Sequence, residues 1–490
     1  MTSNRTTQRW ILALTSLGSF LVVLDMLVVA TALTTIHRDL GASMQDLEWT
    51  VNAYTLSFAV LLMSAAAVGD RYGRRGGYAA GLALFAAASA ACALSTNVGM
   101  LIAARAVQGV GAALVMPLAL SLLNAAFPAQ QRGRAMGVYG SVTGLAAALG
   151  PVVGGAVTQA LAWQWIFWIN VPIAVAAIPL VLTKIPASRV PGAAIDLPGM
   201  GLAGVAALGF AWALVRASSA GWGSIEVIAT ISAGVAGALA FIAWETKTGR
   251  AMLPMRLFAA RGFSAGNVAI FCLNASLAGA VFFVAQFLQT GLGHDPLAAG
   301  LRLLPWGIAP LLIAPRAGAL ADRIGERPLV VTGLVLQAAG MAWMAVTTSP
   351  TVPYLWLAAP MSLAGVGFSL ALPPLTKAVI GSVPVGDIGK ATGAFTTMRQ
   401  LGGAFGVAIL AVAFAAGGRY TSGPAFTDGY AHAMLLAAGL AVVAALAGAR
   451  LPARTAAARP PAATRPGGDQ LAAPAAATAE RPRQTALVSR

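Results

Sequence analysis

Two charged residues lie inside long apolar stretches of the sequence, where a charge is energetically costly unless a function or a partner compensates it. Asp25 lies between Trp10 and Leu33, and Arg105 lies within residues 99–123. A carboxyl group inside an apolar span can bind and release a proton, whereas a guanidinium there needs a cavity or an anionic partner. Of the fifteen acids only Asp25 lies well inside such a stretch, so it is the candidate proton-binding group and no second buried acid is expected. The alternatives are a carboxylate fixed by one structural hydrogen bond and an arginine that extends to the nearer interface.

Metal, redox and nucleotide chemistry are not indicated. Cys92 and Cys272 lie in apolar runs, as small buried residues do. The three histidines are far apart, so no metal or cofactor is expected, and His432 is a weaker candidate for proton binding. The sequence has no phosphate-binding loop of the Gly-x-x-x-x-Gly-Lys-Ser/Thr type, which disfavours an ATP-driven pump. A membrane enzyme would need clustered His, Cys or carboxylates at the bilayer surface, and the sequence shows no such cluster.

The composition places these residues in a membrane. Of 490 residues, 58% are hydrophobic and 9% are charged, and the mean hydropathy is +0.78. A soluble domain has about a quarter of its residues charged. Since about 20 apolar residues in a helix cross a bilayer, the sequence predicts an all-α integral membrane protein with about fourteen transmembrane helices, at residues 10–33, 47–68, 77–95, 99–123, 134–157, 163–183, 198–216, 225–244, 263–288, 297–320, 328–347, 352–376, 391–416 and 430–451.

Basic residues alternate between the predicted loops and indicate the orientation. All but seven of the 31 lie on the side of the termini. Four of the seven are in the intervening loops, namely Arg38, Arg216, Arg302 and Arg419. The other three are within spans, namely Arg105, Arg316 and Arg399. Because cytoplasmic loops carry the Lys and Arg excess, both termini are predicted to be cytoplasmic. The net charge of +16 forms no basic stripe with aromatics, so anionic lipid rather than nucleic acid is the expected partner.

An internal repeat divides the sequence. Residues 66–75 read Ala-Ala-Val-Gly-Asp-Arg-Tyr-Gly-Arg-Arg, and residues 318–327 read Gly-Ala-Leu-Ala-Asp-Arg-Ile-Gly-Glu-Arg. Duplicated halves of this kind rock about a central site in alternating-access carriers. We therefore predict two pseudo-symmetric six-span halves, residues 1–183 and residues 263–451. Between them, residues 184–262 form a linker that contains two inserted spans, and residues 452–490 form a disordered cytoplasmic tail.

These features together resemble the major facilitator superfamily, in particular its fourteen-span branch of drug:proton antiporters, over the whole chain except the tail. The loop after the second span is similar to the charged loop of that family, although Ala66 replaces its first glycine. The resemblance implies a latch that stabilises the state closed to the cytoplasm, formed by Asp70, Arg71, Gly73 and Arg74 in one half and by Asp322 and Arg323 in the other. The alternative is ordinary topogenic charge, which explains the arginines but not the aspartate and the glycine.

The fifth span also resembles the antiporter branch. A Gly-Pro pair and two further glycines put small residues on one helix face: Gly150, Pro151, Gly154 and Gly155. Because proline bends a helix, we expect a tight seal where the halves meet; generic glycine packing is the alternative. Arg105 resembles the fourth-span arginine that assists proton transfer in this family. Asp25 resembles the first-span aspartate of the branch, although Leu27 and Ala30 replace the usual Thr and Asn.

The expected function is export of small, amphiphilic or drug-like molecules in exchange for protons, by alternating access and powered by the proton-motive force. The protein is expected to act as a monomer in a bacterial cytoplasmic membrane. A largely apolar cavity with a few polar groups should bind the substrate, with candidate residues Asn52, Tyr54, Asn274, Gln286, Gln289, Trp306 and Arg399. Each could equally be a polar residue that packs helices together. The alternatives are an importer or narrow metabolite exporter of the same fold, and a membrane sensor that does not transport.

Overall fold

The structure, a computed structural model, describes residues 5–188, 196–249, 251–384, 387–419 and 423–452. Apart from Pro452, the predicted tail lies outside the described residues, and so do the side chains of Asp70 and Asp322. The described residues form sixteen α-helices and no strand: α1 (Arg5–Leu40), α2 (Met44–Tyr72), α3 (Arg74–Ala93), α4 (Val98–Ala126), α5 (Ala129–Ala160), α6 (Trp165–Trp168), α7 (Asn170–Lys184), α8 (Leu197–Ala220), α9 (Ile225–Lys247), α10 (Arg261–Gln286), α11 (Pro296–Arg302), α12 (Leu304–Ile324), α13 (Glu326–Thr347), α14 (Tyr354–Gly381), α15 (Ile388–Gly417) and α16 (Gly423–Gly448).

The long helices give the expected number of membrane spans. Thirteen stretches of the described residues are long and apolar enough to cross a membrane. Two of these stretches join consecutive helices, α6 with α7 and α11 with the first part of α12. Helix α2 has 29 residues and lies between the first two of the thirteen stretches in the chain. The all-α architecture with thirteen such stretches in the described residues agrees with the about fourteen spans that the sequence predicts.

Several helices extend beyond the predicted apolar spans. Helix α1 begins at Arg5, well before the predicted start at residue 10, and Gln8 in its first turns donates to the carbonyl oxygen of Ala126 at 3.0 Å. Helix α16 begins at Gly423, seven residues before the predicted start of the last span. Hydropathy locates the part of a helix that lies in lipid, whereas a helix can continue through polar turns on either side.

Glycines with a positive φ separate the paired spans at the repeated loop. Gly73 has a φ of 115° between α2 and α3, and Gly325 has a φ of 92° between α12 and α13. Glycine adopts such angles without the steric penalty that a Cβ brings. The second glycine of the repeated charged loop therefore reverses the chain in the same way in both halves.

The helices form two groups joined by an inserted pair. We call the side on which α1 begins the inner side, because the charge pattern predicts that it faces the cytoplasm, and the other the outer side. Helices α1–α7 contact one another, as do α10–α16. Between the groups, α2 contacts α15 and α5 contacts α11 and α12. Helix α8 packs against α9 and also touches both groups, with Ala207 and Ala211 near Leu56 of α2 and Ala404 of α15.

Candidate functional site

A fully buried ion pair lies between α1 and α4. One Asp25 carboxylate oxygen, Oδ2, accepts a hydrogen bond from Nη1 of Arg105 at 2.5 Å. The other, Oδ1, accepts from Nε2 of Gln108 at 2.9 Å and from Nδ2 of Asn170 at 2.9 Å. Asp25 is 0% exposed and Arg105 is 1% exposed. Asp25 therefore has three donors rather than one, and Arg105 does not extend to the interface.

Further hydrogen bonds and two aromatic rings surround the guanidinium of Arg105. Its Nη1 also donates to Oε1 of Gln108 at 2.7 Å, and its Nε donates to the carbonyl oxygen of Thr50 at 3.2 Å. The guanidinium carbon lies 4.2 Å from the ring centre of Tyr54 and 5.7 Å from that of Phe167. Such ring faces attract a cation electrostatically. Removing one partner of a buried ion pair costs about 3–5 kcal/mol, because the other charge is left uncompensated.

A serine completes the polar cluster. Ser89 of α3 accepts from Nε2 of Gln108 at 3.2 Å and from Nδ2 of Asn170 at 3.1 Å, and donates to the carbonyl oxygen of Phe167 at 2.9 Å. We name Asp25, Arg105, Gln108, Asn170 and Ser89 the buried polar cluster. It joins α1, α3, α4 and α7. Gln108, Asn170 and Ser89 were not among the sequence candidates, although Gln108 lies one helical turn from Arg105, where a partner side chain is expected.

The expectation that no second acid is buried is wrong. Glu48 of α2 is 1% exposed, and its Oε2 has no hydrogen-bond partner among the described residues. Asp196 and Glu245 are also buried, at the inner ends of α8 and α9. Glu48 was missed because it lies at the start of its predicted span, where an acid usually faces water. The burial of Glu48 follows from the packing of α2 against α4, α8 and α15 rather than from local hydropathy.

The Gly-Pro segment of α5 is in close contact with two other helices, α1 and α11. A Cβ on Gly150 would lie 2.7 Å from Cβ of Leu27 in α1, and one on Gly154 would lie 2.4 Å from the carbonyl oxygen of Val28. A Cβ on Gly155 would lie 2.2 Å from the carbonyl oxygen of Pro296 in α11. We name the contact between the outer part of α5 and α11 the outer seam.

The outer seam is tight from both directions. A Cβ on Gly300 of α11 would lie 2.2 Å from the carbonyl oxygen of Pro151. The backbone N–H of Leu297 donates to Oε1 of Gln159 at 3.2 Å. By contrast, a Cβ on Gly137, in the inner half of α5, would meet nothing within 4 Å. Along α5, therefore, the two halves are joined at the outer side, which is the contact expected of a carrier closed to the outside.

The predicted substrate residues do not all lie together in the structure. Tyr54 is 0% exposed, and its hydroxyl donates to the carbonyl oxygen of Val22 at 3.3 Å, so it belongs with the buried polar cluster. Gln289, in the π-helical turn that follows α10, donates from Nε2 to the carbonyl oxygen of Thr31 at 3.0 Å and so joins this turn to α1 at the outer side. Gln286 is also fully buried.

Three other candidates have polar groups without a described partner or with one in a neighbouring helix. Asn52 is 0% exposed, and neither of its side-chain polar atoms has a hydrogen-bond partner among the described residues. The same is true of Nε1 of Trp306, which is 5% exposed. Asn274 donates from Nδ2 to the carbonyl oxygen of Arg399 at 2.7 Å.

Arg399 differs from Arg105 in having no acid beside it. Its side chain is partly buried on α15, and the described residues show neither an ion pair nor a hydrogen bond of its guanidinium. Among the residues whose side chains are described, Arg399 is therefore a cation of α15 without an anionic partner.

The remaining candidates are residues of the repeated charged loop, near the ends of helices, and His432 within α16. Arg71 is exposed, and the backbone N–H of Arg74 donates to the carbonyl oxygen of Ser188 at 3.0 Å. Arg323 is exposed at the end of α12. With Asp70 and Asp322 outside the described side chains, the latch stays a prediction. His432 is exposed, with Nδ1 2.8 Å from the carbonyl oxygen of Asp428.

Fold and site together define a polytopic membrane transporter built from two packed halves. The family model described as "Major Facilitator Superfamily" matches residues 15–406 and 265–488. The chain belongs to the Major Facilitator Superfamily, a family of transporters rather than enzymes. Solved structures share the fold at low identity. The xylose transporter XylE of E. coli, in a partially occluded inward-open conformation, has a TM-score of 0.62 and 15% identity, with 90% of this chain and 98% of that chain covered.

Curated bacterial relatives are more similar in sequence. The tetracenomycin C resistance and export protein of Streptomyces glaucescens is 33% identical over 92% of this chain and 83% of its own length. The multidrug resistance protein Stp of Mycobacterium tuberculosis is 32% identical, over 84% of this chain and 76% of its own length. The methylenomycin A resistance protein of Bacillus subtilis is 36% identical, over 82% of this chain and 86% of its own length.

Proposed function

We propose that this protein exports small, amphiphilic or drug-like molecules in exchange for protons across a bacterial cytoplasmic membrane, with both termini in the cytoplasm. The observation that carries the proposal is the buried Asp25–Arg105 pair, since a carboxylate within a span is the group that proton coupling needs. The names of the relatives, which include export and resistance proteins, support export of such molecules. The proton-motive force supplies the energy, and one chain suffices.

Protonation of Asp25 would change the buried polar cluster. The carboxylate now accepts three hydrogen bonds, one of which is charge-assisted from Arg105. A neutral carboxyl group would lose most of its attraction for the guanidinium. Arg105 would keep its contacts with Thr50 and Gln108 but would be free to move away from α1. The proton therefore loosens the tie between α1 and α4.

Helix α1 carries this change towards the outer seam. Leu27 and Val28, the next residues along α1 after Asp25 and Met26, lie against Gly150 and Gly154 of α5. Since α5 has no side chain at these positions to yield, a shift of α1 moves α5 as well. The other face of α5 forms the outer seam through Gly155. One helix thus links the proton-binding group to the contact that closes the outer side.

The substrate is proposed to bind between the halves, near Asn52, Asn274 and Arg399. Asp25 is compensated by Arg105 and fully buried. Two other charged side chains without a described charged partner belong to the helices that meet here: Glu48, one turn before Asn52 on α2, and Arg399 on α15. A substrate with an anionic or electron-rich group would pair with Arg399, and a cationic one would pair with the ionised carboxylate of Glu48. An importer or narrow metabolite exporter of the same fold would bind its substrate in the same region, and a sensor would share the fold without moving protons.

The test uses inverted membrane vesicles that are energised and followed with a pH-sensitive dye. A panel of drugs is added to vesicles that contain the wild type, Asp25→Asn or Glu226→Gln. Glu226 is a matched control, because it is an acid of α9 that pairs with Arg216 away from the buried polar cluster. The proposal expects at least one compound to release protons with wild type and Glu226→Gln but not with Asp25→Asn. Proton release that is equal in all three would exclude Asp25 as the coupling group, and no release by any compound would contradict antiport of drugs.

A further inference from the structure

Three arginines surround a cavity at the inner side of the second half. The cavity has a volume of about 740 Å³ and is bounded by the first turns of α10 and α13 and the residues that follow α16. Its cations are Arg261, Arg327 and Arg450. The remaining lining is mostly small or apolar: Ser264, Ala265, Val268, Ala447, Ala449, Leu451 and Pro452. We name this the three-arginine cavity.

These arginines differ from the other cations near the same side. Arg256 pairs with Asp387 at 2.8 Å, and Lys377 pairs with Glu326, the neighbour of Arg327, at 2.9 Å. Lys390 donates to the carbonyl oxygen of Ala251 at 2.9 Å. The side chains of the three cavity arginines, in contrast, have no hydrogen bond or ion pair with any described residue, and all three are exposed.

The apolar part of the cavity runs along α10 into the membrane. Arg261, Ser264, Ala265 and Val268 are spaced three and four residues apart, so they lie on one face of α10. Arg261 is the first residue of the helix, and Val268, two turns further on, is 47% exposed. A ligand along this face would meet cations at the membrane surface and apolar side chains deeper in the membrane.

We propose that the three-arginine cavity binds an anionic phospholipid, with its phosphodiester headgroup between the arginines and an acyl chain along Val268. A guanidinium binds phosphate oxygens through paired hydrogen bonds. Basic pockets between transmembrane helices on the cytoplasmic side suit such headgroups. The helices it bridges, α10, α13 and α16, belong to one half, so the lipid would stay bound while the halves move.

Native mass spectrometry of the purified full-length protein tests the proposal. The probes are dioctanoyl phosphatidylglycerol, dioctanoyl phosphatidylcholine and inorganic phosphate. We expect one phosphatidylglycerol to bind more tightly than phosphatidylcholine, and the variant Arg261→Gln/Arg327→Gln/Arg450→Gln to lose this preference. The loss should be about fivefold in affinity for each arginine removed.

A matched control removes the same charge elsewhere, with Arg38→Gln, Arg316→Gln and Arg419→Gln together. The control should bind phosphatidylglycerol like the wild type. Equal loss in both triple variants would show non-specific attraction, and phosphate binding as tight as phosphatidylglycerol would show an anion site without a lipid; either result overturns the proposal. If the triple variant does not fold, Val268→Glu tests the acyl-chain part, because a carboxylate there should repel the lipid and leave the arginines in place. Unchanged lipid binding by Val268→Glu would contradict the proposed position of the chain.

Discussion

Replacing Gly155 by Ala should open the outer seam. The added Cβ would lie 2.2 Å from the carbonyl oxygen of Pro296, where ordinary contact begins at 3.4 Å, so α5 and α11 must separate by more than an ångström at this point. Both groups are backbone or backbone-attached, so no side chain can rotate away. Overpacking of this kind costs about 1–3 kcal/mol. If that energy falls on the state closed to the outside, its population relative to the open state drops about 5- to 150-fold.

The assay measures how fast an impermeant maleimide labels a cysteine at the seam of the protein in whole cells. Thr158→Cys is suitable, since Thr158 is 6% exposed and lies one turn beyond Gly154. The background has both native cysteines, Cys92 and Cys272, replaced by Ala. We expect Gly155→Ala to raise the labelling rate by up to the factor given above, because the seam opens more often.

The matched control is Gly137→Ala, on the same helix, where a Cβ would meet nothing within 4 Å. It should label at the parent rate. Two results would refute the reasoning: a rate for Gly155→Ala equal to that of its parent, or an equal increase in the control. The first would mean that the seam adapts without cost, and the second that any alanine on α5 changes the equilibrium through helix propensity alone.

Three further predictions concern single side chains. Gln108→Leu should lower the free energy of unfolding by about 1–3 kcal/mol, since it removes a donor from Asp25 and leaves buried polar groups unpaired. Thermal unfolding in detergent measures this change, and an unchanged unfolding midpoint would contradict the prediction. Arg399→Gln should abolish proton release by anionic compounds and spare that by cationic ones in the vesicle assay, while Arg316→Gln, as a control, should change neither. Burial and the nearby Arg302 lower the pKa of His294, in the loop before α11, so the folded protein binds fewer protons there than the unfolded chain. The contribution of this lowered pKa to stability is therefore complete above the pKa of the unfolded chain and is lost as the pH falls below it. The unfolding midpoint of His294→Gln should accordingly change less between pH 7 and pH 5 than that of the wild type. An identical change in both proteins would count against this.

Much of the architecture could be predicted because lipid restricts the chain so strongly. A span must be a long apolar helix, so hydropathy alone locates almost every one. Asp25 and Arg105 stood out for the same reason, since charges are rare in apolar stretches. That the two form a pair could not be derived, because the contact depends on how α1 and α4 cross.

The residues that sequence reasoning missed are the ones that need tertiary structure. Gln108 and Asn170 are ordinary polar residues until the crossing of α1, α4 and α7 brings them to the same carboxylate. Glu48 looked like a residue at a helix end, yet neighbouring helices cover it. Tyr54 was a candidate for the substrate cavity, with helix packing as the equal alternative, and in the structure its ring faces Arg105.

The contact of the inserted helix pair with both halves has a mechanical consequence. Helix α8 meets α2 and α15 through Ala207 and Ala211, which face Leu56 and Ala404. Larger side chains join α8 to α2 beside these alanines: the ring centres of Trp49 and Trp212 lie 5.3 Å apart, and Nε2 of Gln45 donates to the carbonyl oxygen of Val215 at 3.4 Å. Closely packed side chains of this kind resist sliding, because they would have to repack. The inserted pair should therefore follow α2 when the halves change their tilt, and its alanine contact with α15 is the one that would shift.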